Sequence, residues 1–220
     1  MDVLKDFKER AASDLKTIVF AEGDDERIIK AAAAISAGKI AKIVVLGKKE
    51  EIYDFARKNG VYLDGVTIID PQSSDYIEEF RDEFFELRKH KEITKEEAEE
   101  AIKDPLYFGT MMIYTGKADG MVAGAANATG NVLRPAFQIV KTAEGISTVS
   151  SALIMVLKDK SYGEEGVMVF SDCAVNPAPN SEQLAEIAIT TADTASSLLD
   201  FDPKVAMLSF LQWVVLVMKM

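Results

Sequence analysis

The sequence predicts an α/β protein built on a parallel sheet. A β-branched run, Thr17–Ala21, precedes a helix predicted over Glu26–Ala37 and a second apolar run, Ile43–Leu46. This strand–helix–strand order is typical of parallel α/β sheets. The 220 residues allow one large or two small domains, and 48% apolar with 28% charged residues is ordinary for a globular protein.

Local signals bound the first elements. Residues 2–13 predict a short helix, and Gly23-Asp-Asp forms a turn into the helix Glu26–Ala37, which Gly38 can end. A further helix is predicted over Lys49–Lys58, ending near Gly60. The next strand is predicted at Val66–Ile69.

An amphipathic helix follows, with two arginines on one side. Its apolar residues recur at helical spacing: Ile77, Phe80, Phe84 and Leu87. Arg81 and Arg88, seven residues apart, then lie on a neighbouring face. Thr94-Lys-Glu-Glu97 predicts a capping box that opens another helix, and Asp104-Pro105 breaks that helix.

The second half of the chain predicts a change of domain near Ala143–Ser150. Beyond it, Gly163-Glu-Glu-Gly166 predicts a turn, and Val167–Phe170 a strand. Asn180 is then expected to open a small-residue helix that runs to about Leu198.

Composition excludes several classes of function. A net charge of −11 argues against a general nucleic-acid or acidic-membrane partner, because such binding depends on clustered Lys and Arg. The single cysteine cannot form an internal disulfide and fits a reducing cytosol. The charged, amphipathic start is unlike a signal peptide, and the apolar run Val214–Met218 is too short to span a bilayer. A cytoplasmic location is therefore expected.

The stretch from Asp119 to Thr142 is the most informative segment. It contains small residues around Gly120, Gly124 and Gly130, followed by Arg134 and Pro135. Glycines permit close backbone approach, and we expect Arg134 at the entrance of a helix, with Pro135 in its first turn. Such a loop suits a phosphate group. A tight turn before a core helix explains the same spacing equally well.

The residues of this stretch resemble the central motif of the phosphate acetyltransferases, DG-(ML)-V-(AS)-GA-x-(NH)-(AS)-T-x-x-x-(LV)-RPA-(FL)-QI-(IV)-KT. Four further blocks resemble the family in the same order, and together the five span about residues 17–210: Thr17–Arg27, Glu86–Lys91, Phe170–Pro177 and Lys204–Phe210. Ordered blocks are far more specific than one motif.

The resemblance implies two three-layer α/β domains with mainly parallel sheets facing a cleft, as in isocitrate-dehydrogenase-like folds. On this basis residues 1–145 form the first domain, and residues 146–210 begin the second. In the family a C-terminal stretch returns to complete the first domain, so both domains are expected to be incomplete here.

The resemblance also implies the binding residues. Arg134 and Arg88 are expected to bind the anionic substrates, since a guanidinium matches a phosphate bidentately. Thr129, Asn127 and Gly124 of the preceding turn are expected to add neutral donors or close backbone contact to the phosphate or coenzyme A.

Two residues of the second domain are expected close to the site. Cys173 has no identifiable base beside it and is interpreted as a site-proximal thiol rather than a nucleophile. Asn176 is expected to be a polar cleft residue.

Other kinds of site are excluded by residue type. His90 is the single histidine, so a multi-histidine metal site is not possible, and no metal is expected. His90 has no identifiable partner as a general base and is interpreted as a surface residue, which argues against a Ser-His-Asp triad. The turn Ala21–Arg27 stands where a dinucleotide fold would show G-x-G-x-x-G, but its acidic residues would repel a pyrophosphate. They are interpreted as an acidic helix start.

The implied reaction is reversible acetyl transfer between acetyl-CoA and phosphate, which gives acetyl phosphate and coenzyme A. Coenzyme A is a substrate here, and no permanently bound cofactor is expected. No catalytic residue is identified within this chain, because the family's catalytic Asp and its partner Ser-Arg belong to a later segment. The family is commonly homodimeric.

Two alternatives to this function stay open. Phosphate butyryltransferases use the same scaffold with a larger acyl pocket, although the Asn127–Asn131 and Arg134–Thr142 blocks look nearer the acetyl enzymes. A non-catalytic binding or assembly module, such as the acetyltransferase-like domain of some malic enzymes, is the other.

The resemblance stops after Phe210. The family continues Ser-Thr-x-Gly-Ser-Ala-x-His-Glu, whereas this chain ends with Leu211–Met220. When the Trp213–Val214 codons are read two bases later, the shifted codon is GGT, which encodes glycine. When the Met218–Lys219 codons are read in the same shifted frame, the codon is GAA, which encodes glutamate. This glycine and this glutamate have the same spacing as the Gly and Glu of the family motif. Residues 211–220 are therefore interpreted as an aberrant, frameshifted tail, and the truncated chain is expected to be inactive.

We predict that the gene, read two bases later from the Leu211 codon, encodes Thr-x-Gly-Ser-Ala-x-His-Glu and stays open beyond it. Nucleotide sequencing of this region tests the prediction directly. A stop codon within the first few shifted codons would contradict it.

Overall fold

A computed structural model of the protein describes residues 2–208, which divide into two compact units, 2–141 and 142–208. The sequence placed the division between residues 145 and 146. The tail 211–220 and the last two residues of the block Lys204–Phe210 lie outside the described residues.

The first unit alternates strands and helices. Its elements are α1 Val3–Ser13, β1 Thr17–Phe20, α2 Glu26–Ala37, β2 Lys42–Leu46, α3 Lys49–Asn59, β3 Val66–Ile69, α4 Ile77–Arg88, α5 Lys95–Ile102, α6 Pro105–Tyr114, β4 Gly120–Val122 and α7 Thr129–Pro135. A 3₁₀ turn, Lys89–Lys91, follows α4, and a π-helix, Ala136–Val140, follows α7.

The strands form a parallel four-stranded sheet in the order β3-β2-β1-β4. Val19 of β1 lies opposite Val44 of β2 and Met121 of β4, so the middle of the sheet is apolar. The α/β class and the parallel sheet are confirmed.

Successive side chains of a strand point to opposite faces of the sheet, so the sheet has one hydrophobic core on each face. On one face Val19, Val44 and Leu46 pack against aromatic residues of α4 and α6, including Phe80 and Phe108. On the other face the strands contribute Phe20, Ile43 and Val45. These residues pack against Ile28 and Ile29 of α2 and against Ile52 of α3. The first unit is therefore a three-layer sandwich.

Capping residues explain why the helices begin where they do. Asp25 caps α2 by accepting from the Arg27 N–H at 2.8 Å, and Thr94 forms the predicted capping box with Glu97. Gly60 ends α3 in the left-handed conformation, at φ 64°. These boundaries agree with the sequence analysis to within a residue or two.

Close packing accounts for Gly23 at the end of β1. Its N–H donates to the Leu46 carbonyl at 3.0 Å. A Cβ at Gly23 would clash with that carbonyl and lie 2.8 Å from Cγ1 of Val45. Residues 20–23 are thus held tightly against β2.

Three expectations about elements were incomplete or wrong. Helix α6 was not predicted, although Asp104 caps it and Pro105 occupies its first turn, both standard helix-start signals. Strand β4 was also missed, since it is three residues long and begins with glycine. The block Lys204–Phe210 resembles a strand of the family, but its described residues, 204–208, form no strand, and no described strand pairs with them.

The second unit contains β5 Ala152–Val156, β6 Val167–Ser171 and α8 Ser181–Leu199. Its two strands pair antiparallel, with Leu153 opposite Phe170, whereas the sequence analysis expected mainly parallel pairing. The turn between them is short enough for a hairpin, which favours this arrangement. Asn180 caps α8 in a capping box with Gln183.

No helix within residues 2–208 combines the length and apolar character needed to cross a membrane.

Candidate functional site

The small-residue loop between β4 and α7 is closed around a buried carboxylate. Glu22, at the end of β1, is only 2% exposed. Its Oε2 accepts from the N–H groups of Gly124 and Ala125 at 2.9 and 2.8 Å. Its Oε1 accepts from the N–H groups of Ala126 and Asn127 at 2.9 and 2.8 Å. The Asn127 amide adds a fifth bond at 2.9 Å.

These bonds determine the ionisation of Glu22. Burial by itself raises the pKa of a carboxyl group, but the donors of Ala126, Asn127 and Ala125 favour the carboxylate, and the net pKa of Glu22 is lowered. The loop therefore surrounds an anion that belongs to the protein itself.

Arg27 binds the same loop through one of the loop's backbone carbonyls. Its guanidinium pairs with Asp25, with Nη2 to Oδ2 at 2.6 Å, and also donates to the Ala125 carbonyl at 2.6 Å. The first turn after β1 thus supplies both an acceptor and a donor to one loop. The sequence analysis interpreted these residues only as an acidic helix start.

The backbone N–H groups of Gly124 and Asn127 donate to Glu22 and are therefore not free for a ligand. Close contact of these two residues with phosphate or coenzyme A stays a prediction. Thr129 begins α7 and is exposed, and its hydroxyl makes no hydrogen bond to residues 2–208.

Arg134 does not lie at the entrance of a helix. Helix α7 begins at Thr129, so Arg134 occupies its last turn and Pro135 ends it. The carbonyl of Asn131 receives no bond from Pro135, which lacks an N–H, and the chain continues in the wider π-helix. The helix N-terminus therefore adds nothing to anion binding at Arg134.

Arg134 and Arg88 nevertheless act on one side chain, Tyr107 of α6. Helix α6 packs against α4, α7 and the π-helix. Burial raises the pKa of the Tyr107 hydroxyl, while the charges of Arg134 and Arg88 oppose that rise. Both guanidinium charges are therefore close enough to the phenol to influence it.

The two arginines differ from all others in having no carboxylate partner among residues 2–208. Arg134 is exposed and Arg88 half-buried, and neither forms a hydrogen bond or ion pair with residues 2–208. Each of the remaining arginines pairs with an acidic side chain: Arg10, Arg27, Arg57 and Arg81. In a chain with a net charge of −11, two guanidiniums without a carboxylate partner in the described residues can attract an anionic ligand.

In the second unit, Asn176 contacts a second carboxylate, the half-buried one of Asp172, and Cys173 follows Asp172 in the chain. Asp172 accepts from the N–H groups of Ala174 and Asn176 at 3.0 and 2.6 Å, and from the Asn176 amide at 2.6 Å. Ser151 donates its hydroxyl as well. Burial acts to raise the pKa of Asp172, but these bonds hold it well below its usual range.

Both predicted residues of this loop have structural contacts. The Asn176 amide also donates to the Val149 carbonyl at 2.7 Å, which ties the loop to the start of the unit. The Cys173 N–H donates to the Ser151 hydroxyl at 2.9 Å, and its thiol is exposed. No acidic or histidine side chain within the described chain bonds to that thiol.

Among residues 2–208, no three His, Cys, Asp or Glu side chains are arranged to hold a metal ion. Two surface cavities, of about 220 and 430 Å³, lie in the second and first units respectively, and none of the predicted site residues lines either one.

Comparison with known proteins gives a consistent result. The family model described as phosphate acetyl/butaryl transferase matches residues 2–214. A phosphate acetyltransferase of Thermoanaerobacterium thermosaccharolyticum is 49% identical over 210 residues, and one of Clostridium acetobutylicum is 46% identical over 210 residues. Each alignment covers 96% of this chain and 63% of the relative.

Solved structures agree with this likeness. A phosphotransacetylase from Streptococcus pyogenes matches with a TM-score of 0.87 and 39% identity, over 94% of this chain and 61% of the other. The EutD phosphotransacetylase from Staphylococcus aureus matches with a TM-score of 0.85 and 40% identity, over 95% and 61%. The chain thus spans about three fifths of the length of these four proteins.

We predict that Glu22→Gln destabilises the first unit by about 3 kcal/mol at neutral pH, because an amide cannot accept from every donor around it. The folded-state pKa of Glu22 is lowered, so its contribution is present above the unfolded pKa, about 4.3, and is lost as pH falls through the folded value. Urea unfolding at several pH values measures both effects.

The matched control is Asp24→Asn, an equal change of charge on an exposed side chain of the same turn. It should alter the free energy of unfolding by less than about 0.5 kcal/mol. Equal stability of Glu22→Gln and the wild type across pH would show that the captured carboxylate is not required.

Proposed function

We propose, because this chain belongs to the phosphate acetyl/butaryl transferase family, that it is part of an acyltransferase that moves acetyl groups between coenzyme A and phosphate. In the forward direction a phosphate oxygen forms a bond to the acyl carbon of acetyl-CoA. The carbon–sulfur bond breaks, and the thiolate leaves as coenzyme A after gaining a proton. The reverse direction transfers the acetyl group from acetyl phosphate to the thiol.

The observation that supports this proposal best is the pair of unpaired arginines around Tyr107. Both substrates are anions, and Arg88 and Arg134 are the guanidiniums that no acidic side chain of residues 2–208 neutralises. Preorganised charges of this kind stabilise phosphate in the ground state and the charge that develops on the acyl oxygen during transfer.

Each predicted residue then has a proposed part. Arg134 binds a phosphate group bidentately, Arg88 adds a second positive charge, and the exposed Thr129 hydroxyl supplies a neutral donor. Gly124 and Asn127 shape the loop through Glu22. Cys173 and Asn176 are proposed to lie near the substrates without entering the chemistry.

Acyl transfer at this site needs a base, and none is identified among residues 2–208. An alkyl thiol has a pKa of about 8.5, so a carboxylate or similar group must help to remove its proton in the reverse reaction. Glu22 and Asp172 are committed to backbone donors. We therefore propose that the base belongs to the part of the relatives that this chain does not span.

The finer assignments rest on the relatives. Acetyl rather than butyryl transfer is proposed because the similar proteins are named phosphate acetyltransferases. A cytoplasmic homodimer is proposed on the same family basis. We also propose that residues 1–145 and 146–210 are parts of two domains facing a cleft.

We predict that Arg134→Ala lowers the rate of acetyl phosphate formation by two to three orders of magnitude, since one anion donor is worth about 3–4 kcal/mol in comparable sites. Arg134→Lys should recover only part of the rate, because the forked geometry is lost. The assay uses the frame-restored protein with acetyl-CoA and phosphate, and Arg57→Ala, which removes an exposed surface pair, is the control. Near-normal turnover in Arg134→Ala would assign this arginine a structural role.

We further predict that the 220-residue chain alone shows no acetyl transfer above background, whereas the frame-restored protein is active. The reason is the proposal above that the base belongs to the part of the relatives that this chain does not span. Both proteins are assayed with acetyl-CoA and butyryl-CoA in parallel. Activity of the short chain would place the base within it, a preference for butyryl-CoA would favour the butyryl alternative, and inactivity of both with intact ligand binding would favour a non-catalytic module.

A further inference from the structure

We propose that Gln138 is a third, neutral donor of the anion site and that Tyr107 positions it. This inference rests on the proposed function, since it assigns residues to the same substrate-binding site. Neither residue was identified from the sequence.

The position of Gln138 follows from the helix that contains Arg134. Gln138 comes four residues after Arg134, at a spacing that places side chains on one face of a helix. It lies in the π-helix Ala136–Val140, whose next residue, Ile139, is buried at 1% exposure. Burial of Ile139 fixes the rotation of this turn, so Gln138 stays on its partly exposed side.

Tyr107 engages the oxygen end of the Gln138 amide. The Tyr107 hydroxyl donates to Gln138 Oε1 at 3.1 Å. The oxygen end of the amide is thereby engaged, and the Nε2 group makes no hydrogen bond with the described residues. An amide nitrogen is a donor only, so the free end of Gln138 can serve an anion but not a cation.

The phenol itself is held in place by packing. Its ring meets Phe84 edge-on, with centroids 5.6 Å apart and an interplanar angle of 78°. Because the phenol is half-buried against α4, it has little freedom to turn away from Gln138.

The surrounding charges favour an anion at this point. The charges of Arg88 and Arg134 act to lower the pKa of the Tyr107 hydroxyl, whereas the charge of Asp104 acts to raise it. Asp104 is occupied in capping α6, where it accepts from Leu106 at 2.7 Å. A phosphate group bound by the two guanidiniums would meet the Gln138 amide beside them.

The ligand is thus a phosphate group, which belongs either to inorganic phosphate or to coenzyme A. The first test titrates the 220-residue chain with three probes by calorimetry: inorganic phosphate, coenzyme A, and coenzyme A lacking its 3′-phosphate. A loss of affinity in the variants for inorganic phosphate assigns the acyl acceptor. A loss confined to intact coenzyme A assigns the 3′-phosphate.

The variants are Gln138→Leu, which removes the donor, and Tyr107→Phe, which removes the hydroxyl but keeps the ring. Gln138→Leu should weaken binding about tenfold, the usual worth of a hydrogen bond to a charged group, and Tyr107→Phe should weaken it several-fold. Thermal melting should change little in Tyr107→Phe. Tyr114→Phe, at an exposed position of the same helix, is the matched control and should bind as the wild type does.

Arg134→Ala separates failure of the inference from failure of the proposed function. If Arg134→Ala loses affinity while Gln138→Leu and Tyr107→Phe retain it, the inference is overturned and the arginine site stands. If the wild type binds none of the probes, or if Arg134→Ala binds them normally, the anion site and this inference fall together. If Gln138→Leu does not fold, Tyr107→Phe alone decides the result.

Discussion

The carboxylate of Glu22 is the interaction on which the geometry of the first unit depends. It joins the end of β1 to a loop about 100 residues later in the chain, with five hydrogen bonds to residues 124–127. A charged group with so little exposure is tolerable only because every oxygen is satisfied. The loop in turn determines where α7 starts, and therefore which way Arg134 leaves the helix.

Helix packing then places two positive charges that no carboxylate of the described chain pairs with. Arg88 and Arg134 each lie in the last turn of a helix, where the dipole favours a cation, and both helices pack against α6. Tyr107 is a half-buried group of α6 whose pKa both charges influence. An incoming anion therefore meets guanidiniums that do not first have to release a partner, which reduces the cost of binding.

Local signals predicted most of the first unit, and non-local contacts explain what they missed. The ends of α2, α3 and α5 follow from capping side chains that lie beside them in the sequence. Strand β4 has no comparable pattern, because its place in the sheet comes from pairing with β1. The antiparallel pairing of β5 with β6 and the absence of a strand in 204–208 likewise depend on which neighbours are present.

The candidate site divides in the same way. Arg88 and Arg134 were identified through the resemblance of their motifs, and the structure finds both unpaired. The contacts of Glu22, Tyr107 and Gln138 were not predicted, because the sequence around a single acidic residue, tyrosine or glutamine does not indicate its tertiary contacts. The prediction that Pro135 lies in the first turn of a helix was wrong. Pro135 is instead the last residue of α7, before the π-helix, and the sequence alone does not distinguish these two positions.

The π-helix makes the length of this segment as important as its composition. An α-helix advances by about 100° per residue, so removing one residue from Ala136–Val140 would rotate everything after it by that angle relative to Arg134. Ile139 would then leave the core, or Arg134 would turn towards it. A substitution in this turn alters one side chain, whereas a single deletion would displace either the buried Ile139 or the exposed Arg134.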